Sequence, residues 1–335
     1  HLYHIVPGGI YRRQAGTSYN PYAYGEIKEI CDHTFHKESG WAHAGLISLD
    51  APHMPEKYRN SVIFGSIHGC SLKQNVLKPN GSTYTASRAD DFLQSGDKNF
   101  RPINLRWGPL GDIYLIDWHD QNPCHQAKAE DWDYERGRIY RIQLKGTKAK
   151  KPEDLGKLST TDLCNLVTDE NPYTWRTALR MLGEPRPRLL GEFNTPAFAT
   201  VIAKMSKLRK GLMRHALDLP PEPEDETFQI PNAAYAGPPT LIEWFVRLGV
   251  QQPNLKPQAI TGLSEIVTKA KSPTVVRELA SAAIRLADSQ DIAPLLRALM
   301  SRKEDANDPL IPFLTWIAYE KVLASGGRKP PEQPQ

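Results

Sequence analysis

Apolar and polar positions alternate in short runs through the first part of the chain and switch to helical spacing near Lys150. The early runs, 44–50, 61–68 and 82–87, are rich in β-branched and aromatic residues and read as strands. The clearest of them spans Phe100 to Trp118, where a Gly108-Pro109-Leu110-Gly111 turn joins two β-rich halves and Gly137-Arg138-Ile139-Tyr140-Arg141-Ile142 supplies a third strand. That succession suits the inner hairpin and third strand of a β-propeller blade. A closed propeller needs at least about four blades, and this stretch supplies about two, so the expectation is a partial propeller.

Beyond the solvated connector Lys145-Gly146-Thr147-Lys148-Ala149-Lys150-Lys151 the pattern predicts helices. Asn171-Pro172 and Ser272-Pro273 each open a stretch with a capping residue, a proline at the first helical position, an interior arginine and an apolar stripe. Helical stretches over 196–208, 240–248, 258–269, 291–300 and 310–323 fill the remainder, which predicts a HEAT-like α-solenoid of helix pairs. The acidic, proline-rich segment 219–239 reads as a surface loop. The fold class expected is therefore multidomain, β then α: a propeller part over 1–147, a linker over 148–157, HEAT or armadillo-like repeats over 158–327 and a linker tail over 328–335.

Composition narrows the classes. At 335 residues, 40% hydrophobic and 24% charged, the chain is a globular protein of more than one domain, and no apolar run is long enough to span a membrane. A net charge of +4 gives no reason to expect nucleic acid. The four cysteines, Cys31, Cys70, Cys124 and Cys164, permit disulfides without requiring them. A start at His1 and a proline-rich end suggest a piece of something longer. Carboxylate pairs, a Ser-His-Asp arrangement, a P-loop and a dinucleotide glycine motif are all missing from the sequence, which leaves hydrolase, kinase and Rossmann readings without support.

One family likeness stands out. His4-Ile5-Val6-Pro7-Gly8-Gly9, Cys31-Asp32-His33, Ala42-His43-Ala44-Gly45, Tyr58-Arg59, His68-Gly69, Asp91-Phe92-Leu93, Phe100-Arg101-Pro102, Asp117-Trp118, Cys124-His125 and Gly137-Arg138-Ile139-Tyr140-Arg141 follow one another in order. That succession resembles the large "membrane-bound dehydrogenase" proteins of planctomycetes. Asn171-Pro172, Trp175-Arg176 and Asp308-Pro309-Leu310-Ile311-Pro312 extend the likeness more loosely. The resemblance implies a propeller similar to quinoprotein glucose and sorbosone dehydrogenases, HEAT-like helices after it, and a c-type cytochrome often following. Three departures bear on it: Trp41 stands where the family has a histidine, Leu110 where the family has an aspartate, and Gln121 where a haem-attachment motif needs its first cysteine. Any haem c would belong to a domain outside this chain.

On that resemblance His43 is the candidate catalytic base and Arg101, Arg106, His68 and Asp117 the candidate cofactor-binding residues, for pyrroloquinoline quinone with calcium in the complete propeller. Each has a plainer reading: His43 and Arg101 as hydrogen-bond partners of neighbouring loops, His68 as a backbone ligand at a strand end, and Asp117-Trp118 as the tie at a blade corner. Cys31, His33, His36 and His43 suggest zinc only weakly, since their spacing matches no standard finger. Asp117, His119, Asp120 and His125 form a second polar cluster just beyond the hairpin, suited to calcium or to a site mouth. Lys204, Lys207, Arg209, Lys210 and Arg214 read as a solvated helix face, and Trp175, Trp244 and Trp316 as core.

Two functions follow. One is part of an extracytoplasmic (periplasmic or cell-surface) sugar or polyol dehydrogenase, passing electrons to a c-type cytochrome domain. The other is a non-catalytic propeller-solenoid module that binds carbohydrate or protein.

Overall fold

The switch in patterning marks a switch in secondary structure. The computed structural model describes residues 2–12, 26–27, 42–123, 132–146, 151–184, 195–219, 237–251, 255 and 257–324, and in it strands are followed by helices. Trp41, the possible zinc ligands Cys31, His33 and His36, the pair Cys124-His125, most of the 219–239 loop and the 328–335 tail lie outside the described residues.

Two antiparallel sheets form the β part. In the first, β3 (His43–Ser48), β4 (Ser61–Ser66), β5 (Ser71–Asn80) and β6 (Thr83–Arg88) pair in chain order, with β7 (Leu93–Gln94) also on β5. In the second, β8 (Pro102–Trp107), β9 (Ile113–Asp117) and β10 (Arg138–Ile142) do the same. The turn between β8 and β9 closes through the Gly108 N–H on the Asp112 carbonyl, 2.7 Å, as the Gly-Pro-x-Gly motif predicts. A bulge at Gly45, φ +62, lets the β8 backbone come within 2.6 Å of where a Cβ would stand, an approach only glycine permits. β1 (Ile10–Tyr11) and β2 (Glu26–Ile27) make a separate two-residue parallel pair.

The helices are α1 (Thr160–Leu166), α2 (Pro172–Gly183), α3 (Pro196–Lys204), α4 (Lys207–Ala216), α5 (Pro239–Gly249), α6 (Gln258–Lys269), α7 (Pro273–Leu286), α8 (Ala293–Met300) and α9 (Ile311–Ala324). Asn171 caps α2 by accepting the Tyr173 N–H at 3.0 Å, while its side-chain amide donates to the Pro109 carbonyl at 2.9 Å. The single helix expected over 196–208 is two, because Ser206 turns out of the helix and caps α4 through the Arg209 N–H. Ser272 stands at the start of α7 but makes no capping bond; its hydroxyl lies 2.8 Å from that of Thr274 instead.

The compact units do not follow the β-to-α switch. One unit comprises 33–78 and 86–218, with both antiparallel sheets and α1–α4. Its β core is built on Leu49, Ile63, Leu72, Leu105 and Leu115, all essentially excluded from solvent, and in its helical part α1 packs on α3 and α2 on α4. The other unit comprises 1–32, the hairpin tip 79–85 and 219–335. There α5 packs on α7, α6 on α8 and α7 on α9. α7 is buried almost all round rather than along one stripe, and even Arg277, Glu278 and Ser281 are interior. Glu278, fully buried, is balanced by Arg247 at 2.6 Å and Arg285 at 3.1 Å.

Candidate functional site

The chain leaves the ends of β9 and the Ser95–Asn99 turn in tight local bonds, and these place a polar centre beside a cavity. Asp117, the last residue of β9, is fully buried; its Oδ1 accepts the Arg101 N–H at 2.7 Å and the His119 N–H at 2.9 Å, and its Oδ2 lies 3.4 Å from Arg138. His119, φ +49, is only 4% exposed and sits between two carboxylates, with Nε2 3.4 Å from Asp97 Oδ2 and Nδ1 3.6 Å from Asp133 Oδ2. Asp120 accepts the Asn122 N–H at 2.8 Å and the Asp133 N–H at 3.0 Å, tying the 132–136 loop down. Asp133 in turn accepts the N–H groups of Glu135 and Arg136 at 3.0 and 3.1 Å.

Two of these carboxylates, Asp97 and Asp133, are held toward the anion. Asp97 is held below the usual carboxylate range, first by the Asn99 N–H and then by the charges of His119 and Arg138. Asp133 is lowered by the Glu135 N–H and by Arg136, 3.0 Å away.

Above this centre opens a cavity of about 340 Å³ lined by Asn99, Gln121, Trp132, Asp133, Tyr134, Glu135 and Arg136. Trp132 and Tyr134 are 46% and 71% exposed, with ring centroids 6.0 Å apart. Two apolar ring faces thus stand among amide and carboxylate groups, at the lower end of the volume range of small-molecule sites. Trp132, Asp133, Tyr134 and Glu135 escaped the sequence reading because they lie in a loop with no periodicity. The cluster of Asp117, His119 and Asp120 beneath them was legible as a polar group after the hairpin; His125, grouped with them, lies outside the described residues.

Of the other candidates, Arg101 and Asp117 are brought together. Arg101 is 3% exposed and donates to the carbonyls of Ile67, Phe100 and Gln121 at 3.1, 3.2 and 3.1 Å, with Cys70 Sγ at 2.8 Å. His43 opens β3 opposite Ser66 and meets Phe64 edge to face at 5.1 Å. Its neighbour Ala42 accepts the Ile67 N–H at 3.0 Å, so His43 and Arg101 stand at the same end of the strands. His68 lies half-buried in the turn between β4 and β5, and Arg106 lies exposed farther along β8, opposite Tyr114. The Arg101 guanidinium and the Asp117 carboxylate are engaged with the protein itself, and Arg106 is not beside them. Among the described residues, no group of three or more His, Cys, Asp or Glu side chains is placed to hold a metal ion.

A family described as a domain of unknown function (DUF7133) matches residues 14–146, less than half of the chain but including both sheets and the cavity. No curated protein and no solved structure matches the chain. No described helix is long and apolar enough to cross a membrane.

Proposed function

We propose that this chain is a carbohydrate-binding module, with the cavity at residues 99–136 as its saccharide site. The observation that carries this reading is the pair of exposed rings, Trp132 and Tyr134, alternating with Asp133 and Glu135 along the lining of a polar cavity. A sugar ring has an apolar C–H face that stacks on an aromatic surface and a rim of hydroxyls that donate to carboxylates and accept from amides. Asp133 is paired with Arg136, and the cavity is also lined by the Glu135 carboxylate and the Asn99 amide, groups of the kind that bind ligand hydroxyls. The strands in chain order support a partial propeller as the frame, and helices that pack on their next-but-one neighbours support a HEAT-like solenoid after it. Saturation-transfer NMR against glucose, mannitol and cellotriose tests the reading. Contacts to the C–H face of at least one of them are expected, and none with any of the three would reject it.

The second reading is a sugar or polyol dehydrogenase of the quinoprotein kind, extracytoplasmic and coupled to a c-type cytochrome. The shared end of His43 and Arg101 favours it, together with the family resemblance. It separates from the first by adding pyrroloquinoline quinone and calcium and scanning sugars with an artificial electron acceptor. The binding-module reading expects sugar uptake without turnover, whereas turnover lowered roughly 100-fold by His43→Ala, at unchanged stability, would favour the enzyme.

A further inference from the structure

Helix α9 is apolar around most of its girth, a pattern suited to full burial, yet Trp316 stands 37% exposed on it, where the helical spacing assigns the ring to the core. Beside that ring, bounded by α8, the 302–306 turn and α9, lies a cavity of about 380 Å³, within the range of small-molecule sites. Leu299, Met300, Ile311 and Pro312 give it apolar walls, and Trp316 and Tyr319, with ring centroids 6.0 Å apart, give it aromatic ones. We propose that this cavity binds a hydroxylated aromatic acid, a flat ring compound carrying a hydroxyl at one end and a carboxylate at the other, independently of the saccharide site.

Two polar side chains on the lining select that class. Thr315 is buried, and its hydroxyl oxygen is shut off from solvent without a hydrogen-bond partner in the protein. An interior hydroxyl left unpaired is costly, and a ligand hydroxyl that meets it removes the cost. Lys303, by contrast, is exposed, which places its ammonium at the mouth. The acidic groups of the same turn are already engaged: Arg302 holds Asp305 and, at 3.1 Å, Glu304, while it donates to the Val267 carbonyl at 2.6 Å. Among the described residues no carboxylate pairs with Lys303, so an incoming anion meets the ammonium without displacing a protein partner. A flat aromatic body suits the walls better than an alkyl chain, because ring pairs gain from edge and offset contact beyond the area they bury and the Met300 thioether adds a sulfur–ring contact.

Isothermal titration of 6-hydroxy-2-naphthoate into the full chain should give a dissociation constant below about 1 mM. Two truncated probes then read the two ends separately. 2-Naphthol, which lacks the carboxylate, should bind the wild type at least roughly fivefold more weakly, and Lys303→Met should erase that preference. 2-Naphthoate, which lacks the hydroxyl, should bind the wild type at least roughly threefold more weakly, and Thr315→Val should erase that one. Lys303 is exposed, so Lys303→Met should keep the wild-type unfolding midpoint, and the carboxylate arm decides even where Thr315→Val alters the packing of α9. Trp132→Ala, in the saccharide cavity, should bind 6-hydroxy-2-naphthoate as the wild type does. Absence of binding, a carboxylate preference that survives in Lys303→Met, a hydroxyl preference that survives in a folded Thr315→Val, or weakened binding in Trp132→Ala would each overturn the proposal.

Discussion

The carboxylate of Asp308 holds both the backbone N–H and the hydroxyl of Ser82, the N–H at 2.7 Å, from 226 residues away along the chain. The same side chain accepts the N–H groups of Leu310 and Ile311 at 2.9 and 3.0 Å, so it caps the start of α9 while fixing the tip of the β5–β6 hairpin. Gly81, φ +56, lies against an Asp308 oxygen where a Cβ would collide. Asp308→Ala strands four donors at once and should cost about 3 kcal/mol in guanidinium unfolding, with Asp308→Asn near half that. A loss under about 0.5 kcal/mol in the alanine variant would mean that water replaces the carboxylate without penalty.

Lys73 is fully buried in β5, its ammonium 2.9 Å from Asp91, whose side chain is 6% exposed. Removing either partner takes the 2.9 Å counter-ion from an interior charge, with Arg88 at 3.8 Å the weaker contact of Asp91, so Lys73→Met and Asp91→Asn should each destabilise by about 3 kcal/mol. The double variant Lys73→Met/Asp91→Leu should recover to within about 1 kcal/mol of wild type. Urea midpoints of the three proteins decide, and additive losses in the double variant would contradict the pairing.

His4 sets a pH dependence of stability. Burial, then the charges of Arg277 and Arg247, lower its pKa from 6.5 to about 4. The folded state thus refuses a proton that the unfolded chain takes, and stability is full above about pH 6.5 and falls as pH drops toward 4. With its partly exposed ring, the expected loss is on the order of 2 kcal/mol. His4→Gln should flatten this slope between pH 7 and pH 4.5. An unchanged slope in the variant would assign the acid loss to other groups.

Much of the architecture was written in the hydrophobic pattern, and the exceptions have physical causes. The β8–β9 hairpin and helices α6 and α9 follow from turn chemistry and spacing. β5 did not, because Lys73, Gln74 and Asn75 are polar residues buried on a strand and hide the alternation. The break between α3 and α4 rests on Ser206 alone, inside an otherwise helical pattern. At the site, Asp117 and His119 were legible because they follow a strong hairpin motif. Asp97 and Asp133 reach His119 from separate loops, a convergence that only the fold creates. Arg101 stood open between a ligand-facing cation and a partner of neighbouring loops; its place under the Ile67 and Gln121 carbonyls depends on two turns the pattern does not specify.

The saccharide site itself comes down to Trp132. Isothermal titration of cellotriose into the full-length wild type and into Trp132→Ala tests it most directly, since the ring is 46% exposed and its removal should leave the unfolding midpoint unchanged. Binding should be measurable in the wild type and weakened at least roughly tenfold in the variant. Equal affinity in the two proteins would contradict the account.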